Sequence, residues 1–232
     1  MHLPNGAQIF IGEQTTPTDV LSIKKCEAVS NNHDQVKITA TASVSSKIKV
    51  GDFVMIHECT WGKMANALLK VVAVDSAGAN FTVQGFNASD PLSFPAMAES
   101  TSGANGKVAK YDRWTEIPCV QDLSQEGGEQ QYYTYQCLSD DREQQIPTYK
   151  SAVSVTYTFA WEHDNPINEL LRSLDESGKV VPMRMYVPRA NEMRMWSAVL
   201  SFNDIPQTAV NEMETVSLAA AIKGRFTSVS AK

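Results

Sequence analysis

The chain has 232 residues, 43% of them hydrophobic and 20% charged, the balance of a soluble globular protein with room for a sizeable core. Its formal net charge of −6 argues against a surface that grips nucleic acid, though not against one that lets nucleic acid slide past. No run approaches the ~18 consecutive apolar residues of a membrane-spanning helix, and MHLPNGAQIFIGEQ at the start lacks the basic leader and apolar stretch of a secretory signal.

Taken in chain order, AQIFIGE (Ala7 to Glu13) reads as a strand, followed by a polar Thr-Thr-Pro-Thr turn. Ser22 to Val29 reads as a second strand. From Val36 closely spaced strands follow: VKITATA, DFVMIHE after Gly51, LLKVVAV and NFTVQGF, the last two joined by the turn Asp75-Ser76-Ala77-Gly78. Short strands with tight turns and no helical period predict a small β-barrel or sandwich. Residues 87 to 106 are rich in Ser, Ala, Gly and Pro and read as a long surface connection.

GKVAKYDRWTEIPCV then supplies one or two strands. Beyond it lies the most polar part of the chain, where Gly127-Gly128 and Asp140-Asp141-Arg142-Glu143 bracket an aromatic strand, Tyr132 to Leu138. KSAVSVTYTFAW is a half-buried strand, because Val153, Val155, Tyr157, Phe159 and Trp161 alternate with Ser154, Thr156 and Thr158. A helix follows from Asn165 to Ser177. Asn165 is its cap, Pro166 its first residue and Gly178 its stop, and Ile167, Leu170, Leu171 and Leu174 form one apolar stripe. VPMRMYV and MRMWSAVLSF form a hairpin, and a last strand spans roughly Thr208 to Phe226.

Reactive chemistry finds little support. SGANGKV superficially resembles a phosphate-binding loop, but two residues, not four, separate Gly103 from Gly106, and Val108 follows Lys107 where Ser or Thr is needed. His57-Glu58-Cys59 sits in a strand without a second ligand pair, and His2, His33 and His163 are isolated, so no metal site is expected. No G-x-S-x-G elbow or recognisable cysteine protease context occurs, so no catalytic residue and no cofactor is assigned. Cys26, Cys59, Cys119 and Cys137 form no CxxC pair and read as free, mostly buried thiols made in a reducing cytoplasm.

The hairpin MRMYVPRANEMRMW is the most unusual local pattern. Pairing that keeps parity sets Met183 and Met185 with Met193 and Met195, a methionine-lined core patch, and makes Arg184 and Arg194 neighbours on the other face. Like charges so placed need an acid, either Glu192 within the chain or a carboxylate from an adjoining subunit.

The order KSAVSVTYTFAW, acidic turn, NPINELLRSLDESG, VPMRMYV, MRMWSAVLSF, Pro206 and LAAAIKGRF resembles the core of lambda-like phage tail tube (major tail) proteins. KVGDFVMI, LLKVVAV, NFTVQGF and WTEIPCV resemble the β-rich region upstream of that core in some relatives. The resemblance implies a mainly β fold: an antiparallel β-sandwich or half-barrel with one flanking α-helix and an inserted β-rich subdomain. Residues 1–31 would form an N-terminal arm with the first strands, 32–106 the insert and 107–232 the tube core.

The resemblance further implies homohexameric rings stacked into a tube in the phage tail, through which double-stranded DNA passes during ejection without specific binding. Tape measure, tail terminator and distal tail proteins are its implied partners, and no membrane anchor is expected. Assembly would take place in the bacterial cytoplasm. Residues 122–148 would be a loop reaching the next ring, carrying Gln125, Glu126, Gly127, Gly128, Glu129, Asp140, Asp141 and Arg142. Ser154, Thr156, Thr158, Glu212 and Glu214 are candidates for the lumen, which should be net negative, and Arg184 and Arg194 for the subunit interface. A single-ring head–tail connector is one alternative. A ligand- or glycan-binding barrel using exposed Trp61 and Trp114 is another.

Overall fold

The computed structural model describes residues 6–14, 20–30, 32–41, 47–75 and 79–231. The expected Thr15–Thr18 turn and His2 lie outside these residues, as do the last three residues of the Asp75–Gly78 turn. The chain builds two β units that share a contact surface.

The first is a closed barrel of β2 (Val20–Ala28), β3 (Gln35–Ala40), β4 (Phe53–Cys59), β5 (Leu68–Val74), β6 (Asn80–Gln84) and β7 (Gly106–Tyr111), in the order β2-β3-β6-β5-β4-β7. Alternation fixes what faces inward: Val36 and Ile38 of β3, Val54 and Ile56 of β4, and Phe81 and Val83 of β6 share one core. Each side chain so enclosed contributes about 1.5–3 kcal/mol. Residues 87–105 do more than connect, because Ala88, Phe94 and Met97 are buried in that core. The barrel takes in β2 and β7, so its strands extend beyond the 32–106 segment at both ends.

The second unit is one sheet, in the order β8-β1-β13-β14-β15-β12-β9, with β16 also paired to β14. Its strands are β1 (Gln8–Glu13), β8 (Arg113–Glu116), β9 (Val120–Glu126), β12 (Ser154–Ala160), β13 (Val180–Val187), β14 (Glu192–Gln207), β15 (Thr215–Ile222) and β16 (Thr227–Ser230). All pairings within this sheet are antiparallel. α1 (Ile167–Ser177) covers one face, burying Ile167 and Leu171 against Tyr157, Phe159, Leu200, Phe202 and Leu218. The Asn165 side chain accepts a hydrogen bond from the Ile167 N–H at 3.2 Å, and Gly178 ends the helix at φ 57°. The expected mainly β fold with one α-helix is what the described residues adopt.

Three expectations are corrected. The 122–148 segment is not a loop: β9 is an edge strand paired to β12, and β10 (Gln130–Tyr135) with β11 (Gln144–Lys150) forms a separate two-stranded hairpin. The strand expected from Thr208 to Phe226 is β15, Thr215 to Ile222, because Val210 to Glu214 form the turn after an unusually long β14, and Val210 is 89% exposed. The methionine hairpin is shifted by one residue. Its connection is a 3-10 turn, Pro188–Ala190, with Asn191 left-handed at φ 49°, so Val187 pairs with Glu192 and Arg184 with Met195. A one-residue shift reverses the relative faces, and Arg184 and Arg194 therefore lie on opposite sides of the sheet.

Candidate functional site

The helix covers one face of the sheet; the other meets the barrel around Arg184, Met195 and Val229 and is open over β9, β12 and β15, where it is built from small residues. Thr158, Thr156 and Ser154 of β12 pair with Ser217, Ala219 and Ala221 of β15 on one side, and with Asp122, Ser124 and Glu126 of β9 on the other. Ser201 and Asn203 of β14 continue the rows beyond β15. The opposite parity, Val155, Tyr157 and Phe159, is buried under the helix. Among these open-face residues the only charges are the carboxylates of Asp122 and Glu126. Glu212 and Glu214 both stand exposed in the β14–β15 turn, Glu212 lining one depression with Thr158 and Thr215 and Glu214 accepting from the Thr208 hydroxyl at 3.1 Å.

The polar segment projects from the edge of this sheet. Gly127 and Gly128, both at φ 84°, turn the chain out of β9. A Cβ on Gly127 would lie 1.9 Å from the Ala152 carbonyl oxygen, so the root of the hairpin admits only glycine. Tyr132, Tyr133, Ile146 and Tyr149 on its strands and Leu138 at its tip are exposed. A two-stranded ribbon with this much uncovered apolar surface is marginal on its own in water. Gln125, Glu126 and Glu129 stand at the root, and Asp140, Asp141 and Arg142 at the tip.

Arg184 occupies an internal position. Its guanidinium lies 5.0 Å from the Phe10 ring centroid, 4.9 Å from Phe53 and 4.2 Å from Trp114. Burial lowers its pKa to about 10. Phe53 belongs to the barrel and the other two rings to the sheet, so the cation fills the seam between the two units. Arg194, on the other face, forms an ion pair with Glu192 at 3.0 Å. The reason for placing these arginines at a subunit boundary, a crowded pair in need of an outside anion, is thereby removed.

The tryptophans proposed for ligand binding are likewise structural. Trp61 is buried and donates its indole N–H to the Pro95 carbonyl at 2.9 Å, while Trp114 is half-buried beneath Arg184. The thiols are free, but only Cys26 is buried; Cys59 is half-buried and Cys119 and Cys137 are exposed, contrary to expectation. A hydrogen bond to Cys59 and burial both raise the pKa of Cys26. Among the described residues no group of three or more His, Cys, Asp or Glu is placed to hold a metal ion. None of their helices is long and apolar enough to cross a membrane.

Residues 59–231 match the family described as phage tail tube protein, TTP. The chain belongs to the phage tail tube protein family. It is therefore a structural component of the virion tail. A chain in the virion of a native gene transfer agent particle is similar at 11% identity and a TM-score of 0.37, over 50% of this chain and 89% of that one. A chain in the anti-feeding prophage baseplate is similar at 10% identity and a TM-score of 0.37, over 52% of this chain and 87% of that one. No curated protein sequence matches.

Within the family reading, the sequence missed β9 and the two acids it adds to the open face. VQDLSQE is polar on both parities, so it carries no period-two signal. Only pairing with β12 identifies it as a strand.

Proposed function

We propose that the chain assembles into hexameric rings that stack into the tail tube, with the open face of β9, β12, β15 and the second half of β14 lining a channel for DNA. The observation that carries this reading is the composition of that face: Ser, Thr, Ala and Asn with two carboxylates and no Lys or Arg. Phosphate contacts by Lys and Arg generate salt-sensitive affinity, and a wall without them offers DNA no place to stick. The hairpin β10–β11 is the element that reaches the next ring, since its exposed tyrosines and Leu138 gain cover only against another molecule. Tape measure, terminator and distal tail proteins would meet the two ends of the stack, after assembly in the host cytoplasm.

Negative-stain microscopy of the purified protein tests the proposal. Long hollow tubes with six-fold end views are expected. Isolated rings at every concentration would favour a connector, and persistent monomers a binding module.

A further inference from the structure

The sheet ends in two chemically different ways, and the difference gives a direction to stacking. At one end the Ile222 N–H bonds to the Val153 carbonyl at 2.9 Å; at the other the Trp161 N–H bonds to the Glu214 carbonyl at 2.8 Å. β12 and β15 run the full distance between these points.

The Val153 end holds a cavity of about 480 Å³ on the helix-bearing face, lined by Leu123, Val155, Tyr157, Trp196, Ile222 and Phe226. It opens beside the root of the hairpin, because Gln125 and Val153 also border it. Two of its lining side chains, Tyr157 and Trp196, are 0% and 4% exposed. The Tyr157 hydroxyl and the Trp196 indole N–H find no hydrogen-bond partner among the described residues. Buried donors are rarely left unpaired in a finished structure. Arg194 also borders the cavity, its charge met by Glu192 at 3.0 Å.

The Glu214 end presents the complement. The end of β14 and the turn after it expose Ile205, Val210 and Met213 at 73%, 89% and 61%. Between Ile205 and Glu214 the only charged residues are Glu212 and Glu214. An apolar knob bearing carboxylates and turn carbonyls stands at one end, and an apolar socket with unpaired donors at the other. Two different, matching patches at opposite ends of one subunit generate an open series instead of a closed pair.

We infer that the cavity is the receptor for the Val210 turn of a second copy in the adjoining ring. Val210 and Met213 enter among Leu123, Ile222 and Phe226, and the turn's acceptors meet the Tyr157 and Trp196 donors. This rests on the tube reading of the preceding section and adds to it a defined axial contact, separate from the hairpin.

The test uses the full chain. Val210→Asp changes an exposed side chain, so the monomer should melt as wild type does, while tube elongation falls at least tenfold. In a Cys119→Ser, Cys137→Ser background, Val210→Cys combined with Gln125→Cys should be joined by a short bismaleimide in assembled tubes. The product on a denaturing gel should be a ladder running well past six chains, with each single cysteine giving none. A ladder that stops at six would place the contact around the ring and overturn the axial inference. So would tubes of Val210→Asp as long as wild type, or tubes in which the double-cysteine variant gives no ladder. Wild-type protein that never forms rings or tubes would instead overturn the tube reading itself, and this contact with it.

Discussion

The Arg184 guanidinium carbon lies 4.2 Å from the ring centroid of Trp114. Trp114 fits there because it paired across from Gly12, where a Cβ would come within 2.9 Å of the indole ring. The other side of the cation meets Phe53 of the barrel, itself edge-on to Trp114 at 5.5 Å. One side chain thus ties the first strand, the sheet and the barrel together.

Arg184 is accordingly expected to matter in the monomer. Replacement by Ala should lower stability by about 2 kcal/mol, since a partly desolvated cation over a ring is worth roughly that much. Arg184→Glu should lower it further by setting a carboxylate among three rings. Urea titrations of the monomer measure both, and an unchanged midpoint would contradict the internal role.

Gly224 should be intolerant for a different reason. A Cβ there would lie 2.0 Å from the Asn66 carbonyl oxygen and 2.3 Å from the Ser197 hydroxyl oxygen, which itself donates to Asn66 at 2.5 Å. These atoms join the barrel to the sheet. Gly224→Ala should destabilise the chain by about 1–3 kcal/mol, the range of overpacking. Limited proteolysis should also cut between the two units sooner than in wild type.

The hairpin should behave oppositely. Tyr133→Ser with Ile146→Ser removes apolar surface that the monomer leaves in water, as these residues are 63% and 50% exposed. The monomer should melt within about 1 °C of wild type, as surface changes away from special features usually do. Sedimentation should show a marked loss of long tubes.

Lining a channel is a matter of sign. Thr156→Lys places a cation in the middle of the open face, opposite Ala219 and Ser124. Tubes of this variant should bind short duplex DNA with an affinity that falls steeply between about 50 and 200 mM salt. Wild-type tubes should show no such binding. Equal, weak binding by both would remove the face from the lumen.

His57 gives the barrel a pH limit. Burial lowers its pKa below 6.5, with Glu58 opposing and Lys107 adding to the effect, and the Tyr111 hydroxyl lies 3.4 Å from its Nε2. A base whose folded pKa is depressed binds its proton more readily when unfolded. Its contribution is therefore present above pH 6.5 and is lost as pH falls through 6.5 towards the folded value. His57→Gln should flatten that part of a stability–pH curve; a parallel curve would show that other groups set it.

Elements whose cause is local were legible in the chain alone. The Val155–Tyr157–Phe159 alternation makes a half-buried strand wherever it lies. Asn165-Pro166, the Ile167–Leu171–Leu174 stripe and Gly178 start, orient and stop a helix with no help from distant residues. The serines and threonines of β12 were legible as a polar face for the same reason. Tertiary structure decided whatever depends on a partner far along the chain. β9 and β11 are polar on both parities and become strands only through pairing. The parity of the methionine hairpin depended on whether Asn191 belongs to the turn or the strand, and the left-handed turn settled it. Arg184 looked like a surface charge until Phe53 arrived from another unit, since a cation's environment is set by what packs over it and not by its neighbours in sequence.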